Sequence, residues 1–296
     1  MITKSKKPVI VNVQESRIIP ANVKKSLPAT VTLPNPTVRM QSVMVDYMFR
    51  HNERAAFLGR KIAELMGLNK SDRDIVEYAI LLHDAGKGFV EPYIVHKPGK
   101  LTQREYERMK SHTAYGRGFV EHLLKGNPLA QIIAETAYYH HEIFGKGGGY
   151  YGVDAHNFGL HTKIAQVVEV ADAILARRTY KKSKGLGNLA DEIRKGIKTG
   201  QFDPEIAEVF LKAMEQEKLG FGTGLLDYKK VARETEKDMK SFYTEFRKET
   251  MTNYRRATIL ADGGNAAEYM NRRRDGPDHR PFSHSYGKPP APQKRK

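Results

Sequence analysis

Leu81-Leu82-His83-Asp84-Ala85-Gly86-Lys87 decides the fold, because it sets a histidine and an aspartate side by side at the end of an apolar helical run. Upstream, Ile75, Ala79 and Leu82 recur at helical spacing behind Ser71, a candidate N-cap. A charged pair against a buried face is costly unless something compensates it. A divalent cation does so, since neutral imidazole and carboxylate are ordinary nitrogen and oxygen ligands. Three other segments place histidine in a similar setting. His51 precedes an amphipathic helix, Arg54 to Leu68, with Ala55, Leu58, Ile62, Leu65 and Met66 on one face and Gly67 near its end. His112 ends a helix that opens with the capping box Thr102 and Glu105. His140-His141 follows Ile132, Ile133, Ala137 and Tyr138, and Asp172 lies on the apolar helix Ile164 to Leu175. Taken singly, His51 or His112 reads as an ordinary hydrogen-bonded core histidine, and Asp172 as a buried partner for Arg177 or Arg178. Taken together, the contiguous His-Asp and His-His pairs favour a metal site. His96, His122, His156, His161, His279 and His284 lack that apolar setting and carry no site role.

The chain has 296 residues, 40% of them hydrophobic, enough for one large domain with tails. It has no cysteine, which excludes a disulfide framework, a thiolate nucleophile and a sulfur-based zinc site. No apolar run is long enough for a membrane span or a secretory signal, so a soluble cytoplasmic protein is expected. The formal charge of +16 suggests a polyanion partner, but residues 1–40 and 262–296 together carry +10 of it. The expected organisation is a basic extended or disordered arm (1–37), a helical domain (38–215), a helical extension (216–261) and a disordered basic tail (262–296). The fold class is all-α, a helical bundle. In the extension, Met239, Phe242, Tyr243 and Phe246 form one apolar face that packs back onto the domain, with pairing in a homodimer as the alternative.

The ordered motifs His83-Asp84-Ala85-Gly86-Lys87, Val95-His96-Lys97-Pro98-Gly99-Lys100-Leu101-Thr102, Met109-Lys110-Ser111-His112 and Tyr139-His140-His141-Glu142 resemble the HD superfamily of metal-dependent phosphohydrolases. Within it they look like the HD-GYP branch, which hydrolyses cyclic dinucleotides, chiefly cyclic di-GMP. Gly200-Gln201-Phe202-Asp203-Pro204 resembles that branch's closing motif, and the likeness runs from Val38 to Ala213, 176 residues. The chain departs from the branch in the loop His140 to Tyr151: Gly145 stands for the usual Asp, and Tyr150 or Tyr151 for the usual Pro. Tyr47, four residues before His51, stands where three-metal members carry Glu, which points to two metals.

The resemblance implies that His51, His83, Asp84 and a final carboxylate hold one ion, and that Asp84 bridges to a second held by His112, His140 and His141. Glu169 and Asp172 lie one turn apart on one face. An ungapped match selects Glu169, whereas the Val170-Ala171-Asp172 signature of the wider superfamily selects Asp172; Asp172 is taken as the ligand. Iron or manganese is the expected metal, with a bridging hydroxide as nucleophile and Asp84 and Lys87 as the catalytic groups. Lys87 and Arg178, the latter in an Arg-Thr-Tyr run resembling the branch's Arg-Pro-Tyr, are expected to bind phosphate, and Tyr150 a base. The Gly147-Gly148-Gly149 run admits backbone amides close to a phosphate or forms a lid. Two other readings stay open. One is a catalytically weak cyclic-dinucleotide receptor that signals to a protein partner. The other is an HD-type nuclease or nucleotidase, with weak nucleic-acid contact through the basic tails and Arg272-Arg273-Arg274.

Overall fold

Helix α3 (Lys70–Leu82) is buried along almost its whole length, and the other elements are arranged to bury it. The computed structural model describes residues 8–36, 46–97, 99–145, 148–176 and 186–238, with 241 and 244. Arg178, Gly147, the 262–296 tail and the apolar face at 239–246 are outside the described residues, as is most of the extension beyond 238. The remaining elements are β1 (Val9–Asn12), α1 (Ala21–Lys24), β2 (Thr30–Leu33), α2 (Asp46–Leu65), α4 (Pro92–Val95), α5 (Gln103–Leu123), α6 (Ala130–Tyr139), α7 (Leu160–Leu175), α8 (Leu186–Lys198) and α9 (Pro204–Glu215). Short 3-10 turns lie at Ala85–Phe89, Ala155–Asn157 and Gly224–Leu226, and 228–238 is helical. The all-α expectation holds apart from one two-stranded sheet.

Local chemistry sets the helix ends. Gly67 adopts φ 70° after α2, and the bonds Leu68 N to Ala63 O and Gly67 N to Glu64 O close that end as a Schellman motif. The start of α3 differs from expectation: Asn69, not Ser71, is the N-cap, its side chain accepting the Asp72 N–H. Ser71 lies in the first turn, where its hydroxyl accepts the Asn12 N–H at 2.8 Å. The Thr102–Glu105 capping box forms as read. Helices α2, α6 and α7 and strand β1 all pack on α3, while α5 packs on α6 and on the Ala85–Phe89 turn.

The N-terminal segment corrects the sequence reading. Among its described residues, β1 and β2 pair antiparallel with Val9 opposite Leu33 and Asn12 opposite Thr30. Val11, Val13, Val31 and Leu33 are buried, so these strands provide an apolar face that the core takes up. One carboxylate anchors the connection: Asp72 accepts from Arg17 N at 2.7 Å, Ile18 N at 3.3 Å and the Ser16 hydroxyl. The turn therefore has its backbone donors satisfied by α3 rather than by water. Asp72→Ala should lower stability by about 1–3 kcal/mol, because buried donors lose their acceptor. A urea midpoint equal to that of the wild type would show that the hairpin docks by apolar contact alone.

Candidate metal centre

His83 and His140 are the C-caps of α3 and α6, where each helix delivers its last side chain to the same point. His51 comes from α2, His112 from α5, and Asp84 follows His83 directly. Gly86 makes the convergence possible. A Cβ there would lie 1.8 Å from the His112 carbonyl and 2.4 Å from Gly116 N, so only glycine lets α5 lie against this turn.

The hydrogen bonds of the rings fix their tautomers. His83 Nδ1 lies 2.7 Å from Ile80 O, His112 Nδ1 2.6 Å from Met109 O, and His140 Nδ1 3.0 Å from Thr136 O. A carbonyl only accepts, so each Nδ1 carries the proton and each Nε2 presents a lone pair. Those lone pairs face the Asp84 carboxylate: His112 Nε2 is 3.3 Å and His140 Nε2 3.6 Å from Oδ1, and His83 Nε2 is 3.6 Å from Oδ2. His112 Nε2 and His140 Nε2 are themselves 3.3 Å apart. His83 Nε2 and Asp84 Oδ1 are buried with no hydrogen-bond partner. Acceptors aimed at acceptors in a buried site repel unless a cation lies among them.

Electrostatics point the same way. Burial, the largest influence, holds His83 and His141 well below the ordinary imidazole pKa and also lowers His112, leaving all three neutral. Burial alone would raise Asp84, but the Lys87 ammonium, the largest opposing influence, holds it well below the carboxylate range. Helix α3 stops before Lys87. The chain turns at Ala85–Phe89, and the Lys87 ammonium pairs with Asp84 Oδ2. Among the described residues, three groups of side chains have ligand atoms close enough for an ion: Asp84, His112, His140 and His141; His51, His83 and Asp84; and His83, His140 and Glu169. Asp84 is common to the first two.

Asp172 is engaged differently from expectation. It is fully buried and accepts from Arg54 at 2.7 and 3.0 Å, from the Tyr228 hydroxyl at 2.7 Å, and from His51 Nδ1 at 2.6 Å. With these donors around it, Asp172 belongs to none of the three groups. It fixes His51 instead, so that His51 Nε2 faces Asp84 Oδ2 at 3.8 Å. Its arginine partner among the described residues is Arg54; Arg177 and Arg178 lie outside them. Burial would raise its pKa, but Arg54 and then His51 depress it strongly. Glu169 keeps a raised pKa, through burial first and the Asp84 charge as a further cause, and sits 3.9 Å from His141 Nδ1.

Tyr150 leans on His141, with ring centroids 4.4 Å apart, and meets Tyr106 edge to face at 5.9 Å. Tyr151 turns away and stacks on Tyr138 at 4.8 Å. Glu142, which the sequence reading quotes in its motif without a role, ties down this loop by accepting from Tyr151 N and Val153 N, both at 2.8 Å. A cavity of about 310 Å³ opens beside His140, His141 and Glu169, with Tyr106, Tyr150 and Gln166 also in its wall. A larger groove of about 570 Å³ runs between α8 and α9, lined by Arg194, Lys198, Glu208 and Glu215, and holds none of these ligating groups. His96 and His161 are buried, contrary to the polar setting expected, yet lie outside the three ligand groups. His122 and His156 also lie outside them, while His279 and His284 are beyond the described residues.

Residues 48–177 match the HD domain family. The chain's relatives include a cyclic di-GMP phosphodiesterase of Thermotoga maritima, 35% identical over 163 residues, covering 55% of this chain and 44% of that protein. The 3'3'-cGAMP-specific phosphodiesterase 2 of Vibrio cholerae is 31% identical over 167 residues, covering 56% of this chain and 31% of that one. The chain thus spans less than half the length of these curated relatives. Among solved structures, the HD domain of the L. monocytogenes phosphodiesterase PgpH in complex with cyclic-di-AMP aligns with TM-score 0.48 and 18% identity, over 62% of this chain and 96% of that one. No described helix is long and apolar enough to cross a membrane.

Arg54→Met should cost about 3–5 kcal/mol, because it strands the Asp172 charge in the interior. Thermal unfolding checks this, and a melting temperature within 2 °C or so of wild type would mean that His51 and Tyr228 suffice for Asp172.

Proposed function

We propose that the chain is a metal-dependent phosphodiesterase that hydrolyses a cyclic dinucleotide, cyclic di-GMP or a close relative. The convergence of imidazole lone pairs on the Asp84 carboxylate beside an open cavity carries this reading. His51, His83, Asp84 and Glu169 would hold one divalent ion, and Asp84, His112, His140 and His141 would hold a second. Glu169 replaces Asp172 in the first set, since the hydrogen bonds of Asp172 to Arg54, His51 and Tyr228 commit it to positioning His51. Iron or manganese suits this nitrogen and oxygen donor set. Such a pair of ions, when bound, supplies Lewis acidity at phosphorus and a water acidified enough to attack near neutral pH.

The protein's own groups do the rest. The Nδ1 bonds to Ile80, Met109 and Thr136 carbonyls keep the rings oriented, so little reorganisation accompanies the reaction. Lys87 is within reach of the same carboxylate and offers its ammonium to a phosphate oxygen. Tyr150, leaning on His141, offers a face to a base. The relatives act on cyclic dinucleotides by name, which supports that substrate class.

Anaerobically purified protein should linearise cyclic di-GMP or 3'3'-cGAMP when assayed with manganese or iron. His83→Ala and Asp84→Ala should lose both metal and all turnover; either variant with full activity contradicts the assignment. Glu169→Ala should lower bound metal more than Asp172→Asn does, with metal analysis as the check. Lys87→Ala should slow turnover about 10²-fold or more with metal retained, in line with loss of a charge-stabilising group. Unchanged kinetics would place Lys87 outside the reaction.

A further inference from the structure

Gln166 lies on α7 one turn before Glu169 and Val170, and all three line the cavity beside the histidines. The residue is 3% exposed. Its Nε2 donates to the Glu142 carbonyl at 2.9 Å. That bond fixes the amide orientation, since the reversed amide would set oxygen against oxygen. The other end, Oε1, is buried and has no hydrogen-bond partner. A buried acceptor left empty is unfavourable, and a ligand that supplies a donor removes the penalty.

The chemistry of the wall narrows what that donor is. An amide oxygen repels phosphate oxygens, so it does not bind the scissile group. Tyr106, Tyr150 and Val170 share the cavity with it and suit a flat ring. We infer that Gln166 is a specificity-determining residue whose Oε1 accepts an N–H from the edge of a substrate base, as the N1–H and N2–H groups of guanine provide. The inference rests on the cyclic-dinucleotide reading above and adds a means by which that site tells bases apart.

The test measures cyclic di-GMP binding to the manganese-loaded full chain by calorimetry, and turnover of bis(p-nitrophenyl) phosphate, a diester without a base. Gln166→Met should raise the Kd for cyclic di-GMP about tenfold, the worth of one buried hydrogen bond. It should do so with metal content retained and with a smaller loss on the base-free diester. An equal loss on both substrates, or a Kd within twofold of wild type, overturns the inference. Should the variant not fold, the ligand is altered instead: a cyclic dinucleotide with unsubstituted purine in place of guanine should bind the wild type about tenfold more weakly. Equal binding of the two overturns the base contact, as does the same loss on removing only the 2'-hydroxyls. Wild-type protein that cleaves the base-free diester but binds no dinucleotide overturns the inference and the proposed substrate, yet leaves the metal phosphodiesterase standing. Wild type without metal or diester cleavage contradicts the enzyme reading itself.

Discussion

Three hydrogen bonds from imidazole Nδ1 to backbone carbonyls govern this structure. They run from His83 to Ile80, His112 to Met109 and His140 to Thr136, each within one turn of the histidine's own helix. Because the acceptor in each case is the helix backbone, the tautomer is set by the same geometry that forms the helix. What remains on each ring is a lone pair, directed at one carboxylate. The interior then holds a set of acceptors that a cation can satisfy, and the packing of α2, α3, α5 and α6 serves to bring them together.

That packing depends on small residues and on a second ionic cluster. Gly86 lets the α5 backbone approach the turn after Asp84, so His112 arrives from a different helix at the same point. Arg54, Tyr228 and His51 surround Asp172 on the neighbouring face of α2 and α7. The described part of the extension is therefore not an appendage: Tyr228 contributes to the group that holds His51, and Leu226 and Val231 are buried. Glu142 plays a comparable part for the loop at Tyr150 to Val153, with both carboxylate oxygens used by backbone N–H groups.

Much of this was legible in the residues because helical periodicity and metal-ligand chemistry are both local. His83, Asp84, His112, His140 and His141 announce themselves as polar side chains on apolar helices, and the structure brings them together. The different surroundings of Glu169 and Asp172 are not legible in the sequence. The two share a helix face, and what separates them is an arginine 118 positions away in sequence. Ser71 was misread for a related reason: Asn69 competes for the same cap, and the hydroxyl was needed by Asn12 of the hairpin. The N-terminal hairpin is weakly signalled in the sequence because its strands are four residues long, and Asp72 and the core support it beyond its own pairing. Gln166 carried no signal at all, since an unpartnered oxygen is a property of its surroundings.

If the lone pairs around Asp84 bind metal, anomalous diffraction from anaerobically grown crystals shows it most directly. Data collected across the iron and manganese absorption edges should show two peaks flanking Asp84, one bounded by His51, His83 and Glu169 and the other by His112, His140 and His141. An absence of peaks in metal-supplemented crystals, or a single peak liganded by Asp172, would contradict it.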